Sequence, residues 1–328
     1  MDRGAFSPVV LTDSEDPWEM RKICFGKTIG KFKLLSCQAG TKFSGIEKTT
    51  IDSVRIIEDG DVRTVVEVVF GFEESFICQR YKLPQKGNEI EVEMRVFWNQ
   101  KNKMLKLLVP LSYEGKKYFG QTAFGVQELP VNGNESVTQK WVAVTNNKDN
   151  KCLSCINDGI YGSDFSGSNL RLSLLRAPAY SGHPIGSNEI LSLDRFTNRI
   201  DQGERLFKFW INAGKVKERL NNISMEAIAR NEKPFALSFF PQGKGMLPKP
   251  FAVVDNKTIE ISTFKKAENS NDWIVRLFNS VSSKQTCKLT IPIWGISQKL
   301  EFGVFEVKTL KINNKGKYHE TNLVEELI

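Results

Sequence analysis

The chain has 328 residues, of which 40% are hydrophobic and 26% are charged, and its net charge is +8 at pH 7. These proportions are typical of a folded globular protein and exclude disorder, collagen and coiled coil for the chain as a whole. No apolar run approaches the roughly 20 residues that cross a bilayer, so we expect no membrane partner. The first residues lack the pattern of a secretory signal, which favours a cytoplasmic protein.

The positive charge is spread along the sequence. The densest basic cluster, residues 101–106, alternates with apolar residues as a strand does, whereas nucleic-acid binding requires basic residues gathered on one face beside aromatic platforms. We therefore predict a solvated basic surface and no nucleic-acid partner. The six cysteines are too sparse for a disulfide scaffold in a chain that can bury a large core, so reduced thiols are expected.

Alternation of polar and apolar residues is the dominant pattern. Residues 89–96 place charged and apolar side chains on opposite faces, as a half-buried strand requires. Similar runs, separated by turn sequences such as Asn157-Asp158-Gly159, predict further strands at 62–72, 75–83, 105–113, 141–145, 170–175, 206–211, 259–264, 273–278 and 300–307. The pattern therefore predicts an all-β fold with antiparallel strands.

Helical signal is scarce. Residues 224–230 begin with Ser224 as a candidate N-cap and continue with good helix formers, which predicts one or two turns. The segment 239–250 is rich in Pro and Gly and indicates a boundary near residue 247. We therefore predict a large antiparallel β-sandwich (a supersandwich) over residues 1–225, a short helix and linker over 226–247, and a small C-terminal β-sandwich over 248–328.

The sequence contains no self-contained catalytic or metal motif. Neither His183 nor His319 has the spacing of a metal-ligand pair, and both are interpreted as loop residues. Cys152 and Cys155 have a C-x-x-C spacing, but no second pair or βαβ setting accompanies them, so a strand over 151–157 is favoured. Five carboxylates are candidates for glycoside cleavage, but a role in a turn or a salt bridge is favoured for each of them: Glu128, Asp158, Asp164, Asp194 and Asp201.

Several longer strings match a known pattern when they are taken together. They are Asp16-Pro17-Trp18 and residues 97–107, 124–125, 128–130, 139–142, 157–164, 172–178, 199–204, 231–241, 264–268 and 274–278. In this order they resemble the C-terminal half of family 38 glycoside hydrolases, the retaining α-mannosidases, in their bacterial form. The resemblance covers about residues 8 to 312 and implies the same two-sandwich fold.

The resemblance also implies what this chain does and what it leaves to another domain. Enzymes of this family carry the aspartate nucleophile and a zinc ion on an N-terminal barrel, and none of the matching strings comes from it. We therefore expect this chain to support and complete the sugar site of a catalytic barrel that it lacks, with no cofactor of its own and no activity alone. The implied partners are a mannose-containing carbohydrate and the barrel, in cis or as a separate chain. An uncovered barrel-facing surface could also lead to a homo-oligomer.

The substrate-binding candidates lie in the matching strings: Tyr161, Asp164, Arg176, Asp201 and Gln202. Arg176 is the foremost of them, because it stands where the strand of residues 172–175 ends and its guanidinium offers five fixed donors to hydroxyls or to a carboxylate. A structural ion pair of Arg176 with Asp201 or Asp164 is an equally valid interpretation.

A stand-alone carbohydrate-binding module is the alternative function. Such a module would expose aromatic rings to sugar faces. The six tryptophans lie in or near β-like runs, where core positions are commoner than sugar platforms.

Overall fold

The computed structural model describes residues 6–13, 24–36, 39, 51–179, 198–235 and 250–327. The chain divides into two compact units, Met1–Gly120 with Glu128–Val216, and Gln121–Gln127 with Lys217–Ile328. Nearly all regular structure is strand, and the long strand pairs are antiparallel, which confirms the all-β fold class. No helix in these ranges is long and apolar enough to span a membrane.

The strands that precede the long helix form two sheets. In chain order they are β1 (Ser7–Thr12), β2 (Thr28–Lys31), β3 (Lys33–Leu34), β4 (Val54–Asp59), β5 (Arg63–Phe72), β6 (Ser75–Pro84), β7 (Ile90–Trp98), β8 (Lys103–Pro110), β9 (Lys117–Thr122), β10 (Gly125–Leu129), β11 (Ser136–Val137), β12 (Trp141–Asn146), β13 (Lys151–Asn157), β14 (Gly162–Ser166), β15 (Asn169–Arg176) and β16 (Gly203–Gly214). The six-stranded sheet has the order β11-β14-β15-β8-β1-β2. The ten-stranded sheet has the order β10-β9-β12-β13-β16-β7-β6-β5-β3, and β4 also pairs with β5.

The main core lies between these two sheets. Leu105 and Leu107 of the six-stranded sheet pack in one cluster with Val92, Met94 and Trp98 of the ten-stranded sheet. All five side chains are fully buried, as alternating apolar positions on facing sheets predict. Trp98 is therefore a core residue and not a sugar platform.

The other face of the ten-stranded sheet carries ion pairs that cross several strands. Glu67 of β5 is nearly buried and accepts hydrogen bonds from Arg55 of β4 and Arg80 of β6. Lys82 of β6 bonds to both Glu91 and Glu93 of β7, at 2.7 and 3.1 Å. These charged groups neutralise one another across neighbouring strands, where cross-strand pairs stabilise a sheet.

The ionisation of Glu67 predicts acid sensitivity. Burial opposes ionisation of this carboxyl, but hydrogen bonds from Arg55 and Arg80 outweigh burial and hold its pKa below the ordinary value. Stability gained from a lowered pKa is complete above the unfolded-state pKa and is lost as the pH falls through the folded-state pKa. We therefore expect the melting temperature of the chain to decrease as the pH is lowered from about 5 to about 3. The melting temperature of the Glu67→Gln variant should decrease less over the same interval.

A thermal unfolding series at graded pH checks this expectation. Glu204→Gln is the matched control, because the pair of Glu204 with Arg95 is more than half exposed and is screened by solvent. Equal acid sensitivity of Glu67→Gln and the unchanged chain would show that Glu67 does not contribute.

The second unit contains a small β-sandwich. Its strands are β17 (Val253–Val254), β18 (Ile259–Lys266), β19 (Trp273–Asn279), β20 (Gln285–Ile291), β21 (Ile296–Phe302), β22 (Val307–Ile312) and β23 (Tyr318–Thr321). They form a sheet of order β17-β20-β21 and a sheet of order β18-β19-β22-β23. Leu277 and Leu310 of the second sheet pack with Leu289 and Phe302 of the first. The strand predicted at 300–307 is wrong in extent, because a turn with Phe305 at φ 50° separates β21 from β22.

The helix is longer than predicted. It is α1 (Val216–Asn231), so it begins eight residues before the predicted start at Ser224. Ser224 is buried within the helix and is not its N-cap. The predicted boundary near residue 247 lies outside the described residues, as do Asp16-Pro17-Trp18, His183 and Asp194.

Candidate functional site

The outer face of the six-stranded sheet is the face turned away from the main core. Leu105 and Leu107 of β8 point into the core, so Met104 and Lys106 point to the outer face, as successive residues of a strand do. Met104 packs there with Val9 and Phe25 in a separate cluster. This face therefore has its own buried layer.

Lys106 lies at the centre of that layer. Its side chain is fully buried, and its Nζ donates to Asp164 Oδ2 at 2.5 Å and to Glu135. Arg171 Nε donates to the other oxygen of Asp164 at 2.7 Å, and the Ser173 hydroxyl donates to Glu135. The interpretation of residues 101–106 as a solvated basic cluster is therefore wrong for Lys106, because two carboxylates replace its hydration shell.

Arg176 forms the second ion pair of this face. Its Nε donates to Asp13 Oδ2 at 2.6 Å and its Nη2 donates to Asp13 Oδ1 at 2.9 Å. Asp13 is fully buried, whereas the Arg176 side chain remains 18% exposed. The interpretation of Arg176 as an ion-paired residue is therefore right in kind, but Asp201 and Asp164 are the wrong partners: Asp164 binds Lys106 and Arg171.

This geometry leaves part of the Arg176 fork available. Nε and Nη2 are committed to Asp13, and Nη1 has no hydrogen-bond acceptor among the described residues. Phe25 covers the guanidinium, with its ring centroid 5.5 Å from Arg176 Cζ and 5.9 Å from Lys106 Nζ. The two-point contact with Asp13 and the ring of Phe25 therefore fix the orientation of the Nη1 group of Arg176.

The turn between β7 and β8 is hydrogen-bonded both to the end of the sheet that carries Arg176 and to Gln202, which lies next to Asp201. Asn102 in this turn accepts a hydrogen bond from Asp13 N through its carbonyl, and its own N–H donates to Ala177 O. Gln202 Nε2 donates to Gln100 O at 3.0 Å. The structure therefore brings Gln202, and with it Asp201, to the same end of the sandwich as Arg176.

Asp201 occupies an exposed position there. Its φ is 54°, and its carboxylate lies 3.7 Å from Arg205 Nη2 in a half-exposed pair. Such a group is accessible to a ligand hydroxyl, and its exposed ion pair adds little to stability.

Asp164 is not brought together with Arg176, whereas Tyr161 directly precedes β14, the strand that pairs with β15. Asp164 pairs in register with Arg171, five positions before Arg176 along β15, which corresponds to about 16 Å. Asp164 is fully buried and bound by two cations, so its role is to hold Lys106 and Arg171. Tyr161 is half exposed, and its carbonyl accepts a hydrogen bond from Thr138 N.

The remaining sequence candidates stay outside this region. Cys152 and Cys155 lie on β13 as predicted and are free thiols. Burial raises the pKa of the Cys155 thiol, which makes it less reactive. Within the ranges that the structure describes, no group of three or more His, Cys, Asp and Glu side chains could hold a metal ion.

Asp13, Lys106 and Phe25 are the residues that sequence reasoning missed. A lysine at the centre of the apolar run 104–109 was the available signal, because a charge at such a position needs a buried partner. No local pattern indicated Asp13, since its partner Arg176 is 163 residues away.

Two family models match this chain. Residues 38–184 match the glycosyl hydrolases family 38 C-terminal domain, and residues 258–328 match the glycosyl hydrolases family 38 C-terminal beta sandwich domain. The matches together cover more than half of the chain and include β14, β15 and strands β18 to β23 of the small sandwich.

A curated protein and two solved structures resemble the chain. "Alpha-mannosidase G" of Dictyostelium discoideum is 24% identical over 288 residues, which are 82% of this chain and 24% of that protein. An alpha-mannosidase from Enterococcus faecalis V583 has 14% identity and a TM-score of 0.71 over 94% of this chain and 38% of its own. A family 38 protein from Enterococcus faecalis has 16% identity and a TM-score of 0.72 over 94% of this chain and 40% of its own.

These matches cover only part of the relatives. The chain spans about a quarter of the length of the curated protein and well under half of each solved structure. At these identities the solved structures establish the fold alone. The family models, the curated relative and the shared fold together show that this chain belongs to the C-terminal portion of glycosyl hydrolase family 38.

Proposed function

We propose that this chain supports and completes the sugar site of an α-mannosidase-like glycoside hydrolase whose catalytic barrel is contributed by another domain or chain. The observation that carries the proposal is the position of Arg176. Strings that resemble the family contribute Lys106, Asp164 and Arg176, and all three lie on the outer face of the six-stranded sheet. At the end of β15 the Arg176 side chain remains partly exposed.

The chemistry of Arg176 suits a sugar. Asp13 holds Nε and Nη2, so Nη1 can donate to a hydroxyl of a mannose-containing carbohydrate or to a carboxylate of the barrel. A donor whose direction is fixed in advance costs little ordering entropy on binding. Asp201 and Gln202, at the same end, would add a carboxylate and an amide to the rim of the site.

The barrel would supply the nucleophile and a zinc ion, whose charge would act on the sugar during cleavage. The chain's own part is to bind and orient the sugar from the opposite side and to exclude water there. We propose that this activity belongs to mannose metabolism in the cytoplasm, with the barrel and the carbohydrate as the partners and without a nucleic-acid partner.

A reconstitution experiment tests the proposal. The 328-residue chain alone, with or without zinc, should not hydrolyse an aryl α-mannoside. A family 38 catalytic portion joined to this chain, or mixed with it, should hydrolyse the compound faster than the catalytic portion alone. Turnover by the isolated chain that a chelator abolishes would contradict the proposal, as would a catalytic portion that gains nothing from the chain.

A further inference from the structure

A polar cavity opens on the outer face of the six-stranded sheet. It has a volume of about 390 Å³, and Val9 and Leu108 give it an apolar part. Its polar lining includes Lys31, Asn132, Asn169 and Arg171. Arg171 lies five positions before Arg176 along β15, about 16 Å away. Cys24 and Gly26, which flank the Phe25 that covers Arg176, also line the cavity.

Arg171 is oriented toward this cavity by buried groups. Its Nε donates to Asp164 Oδ1 at 2.7 Å, and Lys106 holds the other oxygen of this fully buried carboxylate. Its two Nη nitrogens have no hydrogen-bond acceptor within the ranges that the structure describes. Its side chain is 13% exposed, so these nitrogens form a fixed fork in the cavity wall.

Gly133 allows the main chain to lie beside that fork. Its φ is +84°, and a Cβ at this position would stand 3.8 Å from Arg171 Nη2 and 3.6 Å from Ser166 Cβ. A side chain here would therefore be strained and would occupy the space beside the guanidinium. Glycine keeps that space open.

The cavity is rich in hydrogen-bond donors. Lys31 and Arg171 are both cationic, and no carboxylate is among the described residues that line it. Asn132 Oδ1 already accepts a hydrogen bond from Asn134 N, which leaves its amide NH2 group to donate. Two cations with amide donors favour an oxyanion, and the apolar part formed by Val9 and Leu108 fits the carbon skeleton of a small ligand.

We propose that this cavity binds an anionic sugar, one that carries a phosphate or a carboxylate group. The oxyanion contacts the Arg171 fork and Lys31, and the sugar hydroxyls accept from or donate to Asn132 and Asn169. The proposal rests on the Arg171 fork and Lys31 and does not depend on the function proposed above.

Titrations of the 328-residue chain by calorimetry test the inference. Glucose 6-phosphate, glucuronate, inorganic phosphate and glucose are the probes. We expect saturable binding of one or both anionic sugars, weaker binding of inorganic phosphate and no binding of glucose at the same concentrations. The stronger of the two anionic sugars identifies the oxyanion as phosphate or carboxylate.

Variants locate the binding. Lys31→Glu and Arg171→Lys should each weaken binding about tenfold or more, because each loses a charge-assisted contact. Lys33→Glu is the matched control, since it makes the same charge change two residues away and should bind normally. Lys31 is exposed, so the Lys31→Glu variant should fold. It therefore still tests the proposal if the Arg171→Lys variant fails to fold. Equal binding of glucose, absence of saturation, or unchanged binding by folded Lys31→Glu overturns the proposal.

Discussion

Replacing Lys106 with Met should lower the free energy of unfolding by about 3–5 kcal/mol, the cost of leaving buried charge without its partner. Lys106 and Asp164 are fully buried, and Glu135 is nearly so. Methionine fills much of the same volume but leaves both carboxylates without their shared cation. Urea unfolding of the chain and of Lys106→Met measures the difference.

Two further variants separate charge from packing. Lys117→Met is the matched control, because Lys117 and its partner Glu128 are about half exposed and such pairs contribute about 0–1 kcal/mol. Adding Glu135→Gln to Lys106→Met should restore part of the lost stability, because Glu135 loses its only cationic partner among the described residues, whereas Asp164 keeps Arg171. Equal effects of Lys106→Met and Lys117→Met would contradict the buried-charge account.

Removal of Arg176 should destabilise the protein more than removal of Asp13, although both substitutions break the same ion pair. Arg176→Ala leaves the carboxylate of Asp13 in a fully buried position, whereas Asp13→Ala leaves a guanidinium that water already reaches. We expect a loss of about 1.5–3 kcal/mol for Arg176→Ala, the contribution of a hydrogen bond to a charged group, and a smaller loss for Asp13→Ala. The double variant should be no less stable than Arg176→Ala alone.

Denaturant unfolding of the three variants forms a double-mutant cycle. Arg95→Ala is the control, because Arg95 also makes a two-point contact with a carboxylate but is 67% exposed. A larger loss for Asp13→Ala than for Arg176→Ala would mean that Arg176 depends on Asp13, rather than the reverse.

The strands were predictable because their signal is local. Alternation in residues 89–96 predicted β7, and turn residues separated most of its neighbours. The helix start was missed because its cap comes from elsewhere: Val216 N donates to Asn150 Oδ1, across 66 residues. No capping residue next to Val216 could indicate this, so only the good helix formers after Ser224 were recognised.

The candidate site was predictable in its residue types but not in its partners. The position of Arg176 at a strand end could be read from the sequence, whereas its pairing with Asp13 depends on strand order. β15 and β1 flank β8, and that order brings together residues that are far apart in the chain. The burial of Lys106 likewise depends on Phe25, which covers this part of the outer face.

Steady-state hydrolysis of an aryl α-mannoside is the most direct test of the central claim that Arg176 contributes to a sugar site. The protein to assay joins this chain to a family 38 catalytic portion, at a temperature where every variant is folded. Arg176→Ala should lower kcat/KM about ten- to a hundredfold, the effect of losing one charge-assisted contact of about 1.5–3 kcal/mol. Arg176→Lys should recover little, because lysine lacks the planar fork, and Arg95→Ala should have normal kinetics. A folded Arg176→Ala variant with unchanged kcat/KM would contradict the claim and leave Arg176 with a structural role alone.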